Sequence, residues 1–178
     1  EADTVTVIKD ILADVFGFDK YQELTSEQQI RGTFCDLAIK ISGKIYFLIE
    51  VKSAGITLNE SHLRQAIGYG ANQGIEWVVL TNAVEWRLYK IEFVQPIRHE
   101  EVARFSFVEL SSKNQDDLEK IYLMAREGLS SNAIQEFHQT AQIFNKFTIA
   151  QILLSSPVLA VIKREMRRLY PEVKAEES

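Results

Sequence analysis

The stretch IYFLIEVKSAG constrains this chain more than any other part of it. It runs apolar from Ile45 to Ile49 and then sets Glu50, Val51 and Lys52 in a row. A short apolar run closed by turn residues reads as a buried strand. Side chains alternate along a strand, so Glu50 and Lys52 leave one face and Val51 the other. A buried strand that finishes with a carboxylate and an ammonium on the same face needs a chemical reason. A lone Glu-x-Lys carries little, since Glu172–Val173–Lys174 repeats it in a polar tail and charges at strand ends ordinarily sit in water. The neighbours of the first copy decide its meaning.

Upstream, Phe34–Ile41 alternates, with Leu37, Ile39 and Ile41 on one face and Asp36, Ala38 and Lys40 on the other. The turn Ser42–Lys44 then predicts a hairpin with Ile45–Lys52. A turn centred on Gly43 places Asp36 opposite Glu50, at the roughly 5 Å typical of cross-strand neighbours. Two carboxylates at that range repel each other unless a cation sits between them, and Lys52 neutralises them only in part. With a nearby backbone carbonyl they make a hard, all-oxygen site suited to Mg²⁺ or Mn²⁺. Such a site activates water and stabilises charge on phosphorus, and a lysine alongside positions the attacking water. The chemistry that uses this set is phosphodiester hydrolysis. Downstream, Glu60–Gln73 reads as a helix whose stripe Leu63, Ala66, Ile67 and Gly70 faces the sheet. Gln65 and Tyr69, four apart, share a different face. They are ordinary helix-surface residues by type, and at this place they would reach a phosphate or a base beside the metal.

The rest of the chain supplies the frame. A helix capped by Asp3 or Thr4 carries Ile8, Ile11, Leu12 and Val15 and stops at Gly17. Phe18–Thr33 is polar and reads as a loop or a ragged strand. Glu76–Thr81 is a buried strand, 82–84 a turn, Glu85–Phe93 a second strand broken by Pro96, and Ala103–Leu110 a third. From Asn114 the texture turns helical, over Asp117–Glu127, Asn132–Gln142, Thr148–Ser155 and Pro157–Leu169, the last with Ser156 as cap and Pro157 in its first turn. The order predicts an α/β (α+β) fold, a mixed central sheet flanked by helices over 1–112, with a C-terminal helical segment over 113–178.

Composition removes several alternatives. No apolar run approaches bilayer length and the N-terminus lacks a signal-peptide pattern, so no membrane partner is expected. The single cysteine, Cys35, excludes an internal disulfide and a cysteine zinc cluster, and fits a cytoplasmic protein. His62, His99 and His138 are scattered without metal-ligand spacing, which predicts surface or capping roles. Trp77 and Trp86 are expected in the core. The basic run Lys163–Arg168 reads as a solvated helix face. With 20 basic against 25 acidic residues the net charge is −5, so the chain does not wrap nucleic acid by bulk electrostatics. Contact with DNA would need a local patch or a partner.

Taken together, Asp36, then Glu50-Val51-Lys52 at the end of the next strand, resembles the pattern of the PD-(D/E)xK nucleases, the restriction-endonuclease-like superfamily. Gln65-Ala66-Ile67-Gly68-Tyr69 in the following helix narrows the resemblance to the N-terminal nuclease domain of the type I restriction enzyme R subunit and related RecB-like nucleases. The phrase VVLTNAVEWRLYKI also looks like that domain. The resemblance covers about Glu27 to Ile91 and implies a restriction-endonuclease-like sheet. It implies that Asp36, Glu50 and the Val51 carbonyl hold Mg²⁺ or Mn²⁺, that Lys52 is the catalytic lysine, and that Gln65 and Tyr69 are accessory. It aligns Glu27 with an additional family acid. Cys35 stands where the motif's name has proline. No G-x-x-x-x-G-K-[ST] phosphate loop occurs, so translocation of DNA by this chain alone is not expected. A start other than Met and the abrupt end PEVKAEES suit a piece of something longer, acting on DNA with other restriction-system subunits or a motor domain. The rival expectations are a non-catalytic DNA-recognition or assembly module that kept the fold, and an RNA- or single-strand-directed enzyme.

Overall fold

The computed structural model describes residues 2–30 and 33–171, with side chains left aside at 27–30, 33 and 34. The tail copy Glu172–Val173–Lys174 lies outside the described residues. Six strands form one sheet in sequence order: β1 (Leu24–Ile30), β2 (Thr33–Ile41), β3 (Lys44–Val51), β4 (Trp77–Thr81), β5 (Glu85–Glu92) and β6 (Arg98–Ser106). Every neighbouring pair is antiparallel except β3 and β4. That pair is parallel because the connection is a crossover helix, α2 (Glu60–Gln73), and parallel neighbours need such a connection. The architecture is the mixed, helix-flanked sheet of the restriction-endonuclease-like class.

Local chemistry sets the β2–β3 hairpin. Ser42 and Gly43 both take positive φ, 50° and 83°, the two-residue turn whose twist matches its flanking strands. The ladder opens at Ile41↔Lys44, shifts by one residue after Lys40, and then runs through Ile39↔Phe47 to Leu37↔Ile49. A β-bulge thus absorbs the shift without turning the apolar set of β3 to the wrong face. Carried one residue further, the register sets Asp36 beside Glu50, as the sequence predicts.

α2 begins where Asn59 accepts the Ser61 and His62 N–H groups and ends at Gly74 in the left-handed conformation. Its buried stripe Leu63, Ala66 and Ile67 packs with Ala38, Leu48, Val78, Leu80 and Ile91 of the sheet. Burying the leucine and the isoleucine contributes about 2 kcal/mol each. Gly70 permits the close approach: a Cβ there would lie 2.4 Å from Ile91 Cδ1 and 2.7 Å from Val78 Cγ2. Gly70→Ala is therefore expected to cost about 2 kcal/mol in urea unfolding. Gly68→Ala, with nothing within 4 Å, should instead gain up to about 1 kcal/mol. Equal effects at the two glycines would show that helix and sheet are not in close contact there.

α1 (Ala2–Asp14) buries Ile8 and Leu12, and Phe16 just beyond it packs on Trp86 at 5.5 Å between ring centroids. Trp86 also stacks on Phe105, and both tryptophans are core residues as expected. Two short helices follow the sheet, α3 (Gln115–Met124) and α4 (Arg126–Ser130). The Arg126 N–H donates to the Phe16 carbonyl at 2.9 Å, and its Nε donates to both Glu23 oxygens at 2.8 and 3.0 Å.

The chain forms two compact units, Glu1–Ile134 and Gln135–Ser178. Three helices span the boundary and the second unit: α5 (Ala133–Ile143), α6 (Lys146–Leu153) and α7 (Ser156–Leu169). Among the described residues of the second unit only His138 is buried, against the surface or capping role expected of it. Phe144, Phe147, Leu154 and Leu169 stand 64%, 71%, 71% and 61% exposed. Among the described residues no single helix is long and apolar enough to cross a membrane; α6 and α7 reach that length only as a pair bent by 65°.

Candidate active site

Three elements place the candidate residues. Asp36 lies on β2, Glu50 and Val51 end β3, Lys52 follows at once, and Gln65 and Tyr69 ride on α2. Glu50 and Lys52 leave β3 on the side of Leu48, which packs under α2, so the charged end of the strand and the polar face of the helix are neighbours.

The contacts join these residues into one site. Asp36 Oδ2 accepts the Val51 N–H at 2.7 Å, which anchors its carboxylate at the peptide joining Glu50 to Val51. Lys52 Nζ lies 2.5 Å from Glu50 Oε1. The glutamate side chain is 2% exposed and the lysine 16%, so the pair is largely withdrawn from water and screened little by salt. Lys52 Nζ also reaches Gln65 Oε1 at 3.5 Å, and Gln65 Nε2 donates to the Tyr69 hydroxyl at 2.9 Å. A continuous polar line therefore runs from the buried strand end to the surface of α2. The strand alternation of two puts Glu50 and Lys52 on one face, the helix spacing of four puts Gln65 and Tyr69 on one face, and the packing of α2 on the sheet brings the two faces together.

The donor set fits a hard divalent cation. Two carboxylates and the Val51 carbonyl offer oxygen alone, the ligand chemistry of Mg²⁺ or Mn²⁺ rather than of zinc. Among the described residues no three His, Cys, Asp or Glu side chains gather closely enough to hold a metal by themselves. Backbone oxygen and water would thus complete any cation shell here. The β1–β2 register, from Ser26↔Leu37 to Gln28↔Cys35, sets residue 27 beside Asp36. The Glu27 side chain itself lies outside the described residues. Cys35 is buried in the sheet, its thiol on the Leu37 carbonyl at 3.4 Å.

Two residues with no assigned role hold the loop between Lys52 and α2. Asn82 Nδ2 donates to the Ile56 carbonyl at 2.9 Å, and Arg87 Nη2 donates to the Leu58 carbonyl at 3.2 Å. The hydrogen bond from Arg87 to Glu85 raises the guanidinium pKa further above its ordinary value, so Arg87 is cationic at any working pH. The sequence signal was the strand ending in Thr-Asn before the tryptophan strand, but nothing in that pattern names the loop as the target.

With this geometry in view, the family model described as the type I restriction enzyme R protein N terminus (HSDR_N) matches residues 10–105, just over half of the chain. The chain belongs to that family. The matched region contains all the candidate residues and the whole sheet up to Phe105, and it makes this a restriction-system, nuclease-related domain. Among solved structures the type IIG restriction endonuclease BpuSI is similar, at 18% identity and a TM-score of 0.43, over 68% of this chain. The chain spans only 16% of that enzyme's length. No curated protein matches the chain.

Proposed function

We propose that this member of the R-protein N-terminal family is a metal-dependent nuclease domain that hydrolyses DNA phosphodiester bonds. The observation that carries the reading is the polar line from buried Glu50 through Lys52 to Gln65 and Tyr69, with the Asp36 carboxylate held on the Val51 N–H beside it, since a purely structural sheet has little use for a buried carboxylate and a second one so close by. Asp36, Glu50 and the Val51 carbonyl would hold the cation, Mg²⁺ or Mn²⁺. When bound, the cation supplies a lowered pKa for attacking water and charge neutralisation on the phosphate. The chain's own residues do the rest. Lys52, already held against Glu50, places its ammonium beside the attacking oxygen and the non-bridging phosphate oxygens. Gln65 and Tyr69 line the approach from the helix side and orient the phosphate or its base. In the hydrolysis the water oxygen forms a bond to phosphorus, the bond to the leaving sugar oxygen breaks, and that oxygen takes up a proton. The setting proposed is a cytoplasmic restriction system, with a motor or other subunits supplying the DNA grip that a net charge of −5 does not.

Calorimetric titration with Mn²⁺ and a plasmid-nicking assay test this. The wild type should bind Mn²⁺ and nick DNA, whereas Asp36→Ala should lose both, its affinity falling at least about tenfold. Absence of metal binding in the wild type would return the chain to a non-catalytic recognition or assembly module. Cleavage of RNA in place of DNA would redirect the substrate assignment but not the mechanism.

A further inference from the structure

We infer that Asn82 and Arg87 are positioning residues that hold the helix half of the site against its strand half, an inference that rests on the nuclease reading. The site has two supports. Asp36, Glu50 and Val51 sit on paired strands, where the ladder fixes them. Gln65 and Tyr69 sit on α2, which packs on the sheet through its buried stripe and is joined to β3 along the chain by the loop 53–59. Within that loop the backbone bond from Ile56 N–H to the Ser53 carbonyl closes a turn, and the Ile56 and Leu58 carbonyls accept from Asn82 and Arg87. Both donors come from the next strand pair, at the β4–β5 turn and on β5. The loop is thereby clamped to the sheet at two carbonyls by donors from outside its own strand.

Asn82 is suited to this by using both ends of its side chain. It is 7% exposed, and its Oδ1 accepts the Val84 and Glu85 N–H groups at 3.1 and 2.7 Å, closing its own turn. That bond set, with Thr81 Oγ1 accepting the Ala83 N–H and donating to the Glu85 carbonyl, holds Ala83 at a φ of 72°. The amide nitrogen is left to point outward at Ile56. A turn that needed only an acceptor would be served equally well by aspartate. The donor is what reaches across to the loop.

This gives a substitution that separates the two roles. Asn82→Asp keeps the turn acceptor but sets an oxygen against the Ile56 carbonyl, and Arg87→Lys is a second variant that keeps a cation beside Glu85 while losing the fork that reaches Leu58. In each, Mn²⁺ affinity by calorimetry should stay within about twofold of wild type, because the ligand oxygens lie on the strands. Nicking at saturating DNA should fall about tenfold, since small misplacements of positioning groups carry costs of that order or more. Amide hydrogens of residues 53–62 should exchange about tenfold faster, while those of Val84 and Glu85 stay protected in Asn82→Asp. Undiminished nicking by a folded variant, or unchanged exchange across the loop, would overturn the inference. If the wild type neither binds Mn²⁺ nor nicks, the nuclease reading fails by itself and the exchange measurement still decides whether the tether exists.

Discussion

Lys52→Met is expected to lower the nicking rate by about a hundred- to a thousandfold, the range seen when one pre-organised charge-stabilising donor is removed. The same substitution should weaken the fold. Glu50 is 2% exposed, and its carboxylate would lose the ammonium now 2.5 Å away. Breaking one side of a buried ion pair costs about 3 kcal/mol or more, because the remaining charge keeps its desolvation penalty. Two further consequences distinguish this account from a generic loss of packing. The double variant with Glu50→Gln should be more stable than Lys52→Met alone, since it no longer carries a buried carboxylate charge beside the place the ammonium left. Mn²⁺ should bind Lys52→Met more tightly than it binds the wild type, because an entering cation no longer meets an ammonium on its own ligand. Chemical denaturation, calorimetry and nicking on these proteins read out each part separately. A folded Lys52→Met protein nicking within tenfold of wild type would remove Lys52 from the mechanism.

Gly128→Ala should be the most destabilising single-methyl change on the helical side of the first unit. A Cβ at Gly128 would sit 1.9 Å from the Tyr122 carbonyl oxygen and 2.9 Å from its carbon, both backbone atoms that no rotamer change can move aside. The expected cost is about 4 kcal/mol, in the tail that signals a named steric conflict. Relief would require α4 to shift from the end of α3, which strains the Arg126 contacts to Phe16 and Glu23. Urea midpoints give the test: a loss under about 1 kcal/mol would mean that the α3–α4 junction yields readily.

The sequence was most readable where side-chain period, turn chemistry and burial agreed. Glu60–Gln73 matches α2 residue for residue because its apolar stripe keeps helical spacing throughout, and the structure closes its two ends on Asn59 and Gly74. The hairpin was legible from its turn at Gly43, but the pairing at that turn, Ile41↔Lys44, would by itself set Asp36 opposite Ile49; the bulge next to Lys40 supplies the last residue of the approach to Glu50 and has no signature in the sequence. β1 read as a loop or ragged strand because Thr25, Ser26, Gln28 and Gln29 make it polar, and an edge strand needs only one neighbour. β6 begins at Arg98, not Ala103, since RHEE pairs with β5 through backbone bonds that side-chain polarity does not reveal. The break between α3 and α4 falls at Ala125, whose ψ of 152° leaves the helical region without a glycine or proline to announce it. For the site, the residue types and their spacing were visible; the Lys52–Gln65 contact and the clamp on the loop were not, because both depend on how α2 lies across the sheet.

The strand order of the sheet follows the chain from first to last, and this bears on how the protein comes into being. No strand waits for a distant partner: each pairs with the one made before it, across a turn or a single crossover helix. Such local wiring lowers the chain entropy lost at each closure and favours rapid folding for a sheet protein. Every residue from Asp36 to Tyr69 is synthesised well before α5, α6 and α7. The strand half of the site can take shape on the emerging chain as soon as the hairpin closes, and its helix half as soon as β4 gives α2 a sheet to rest on.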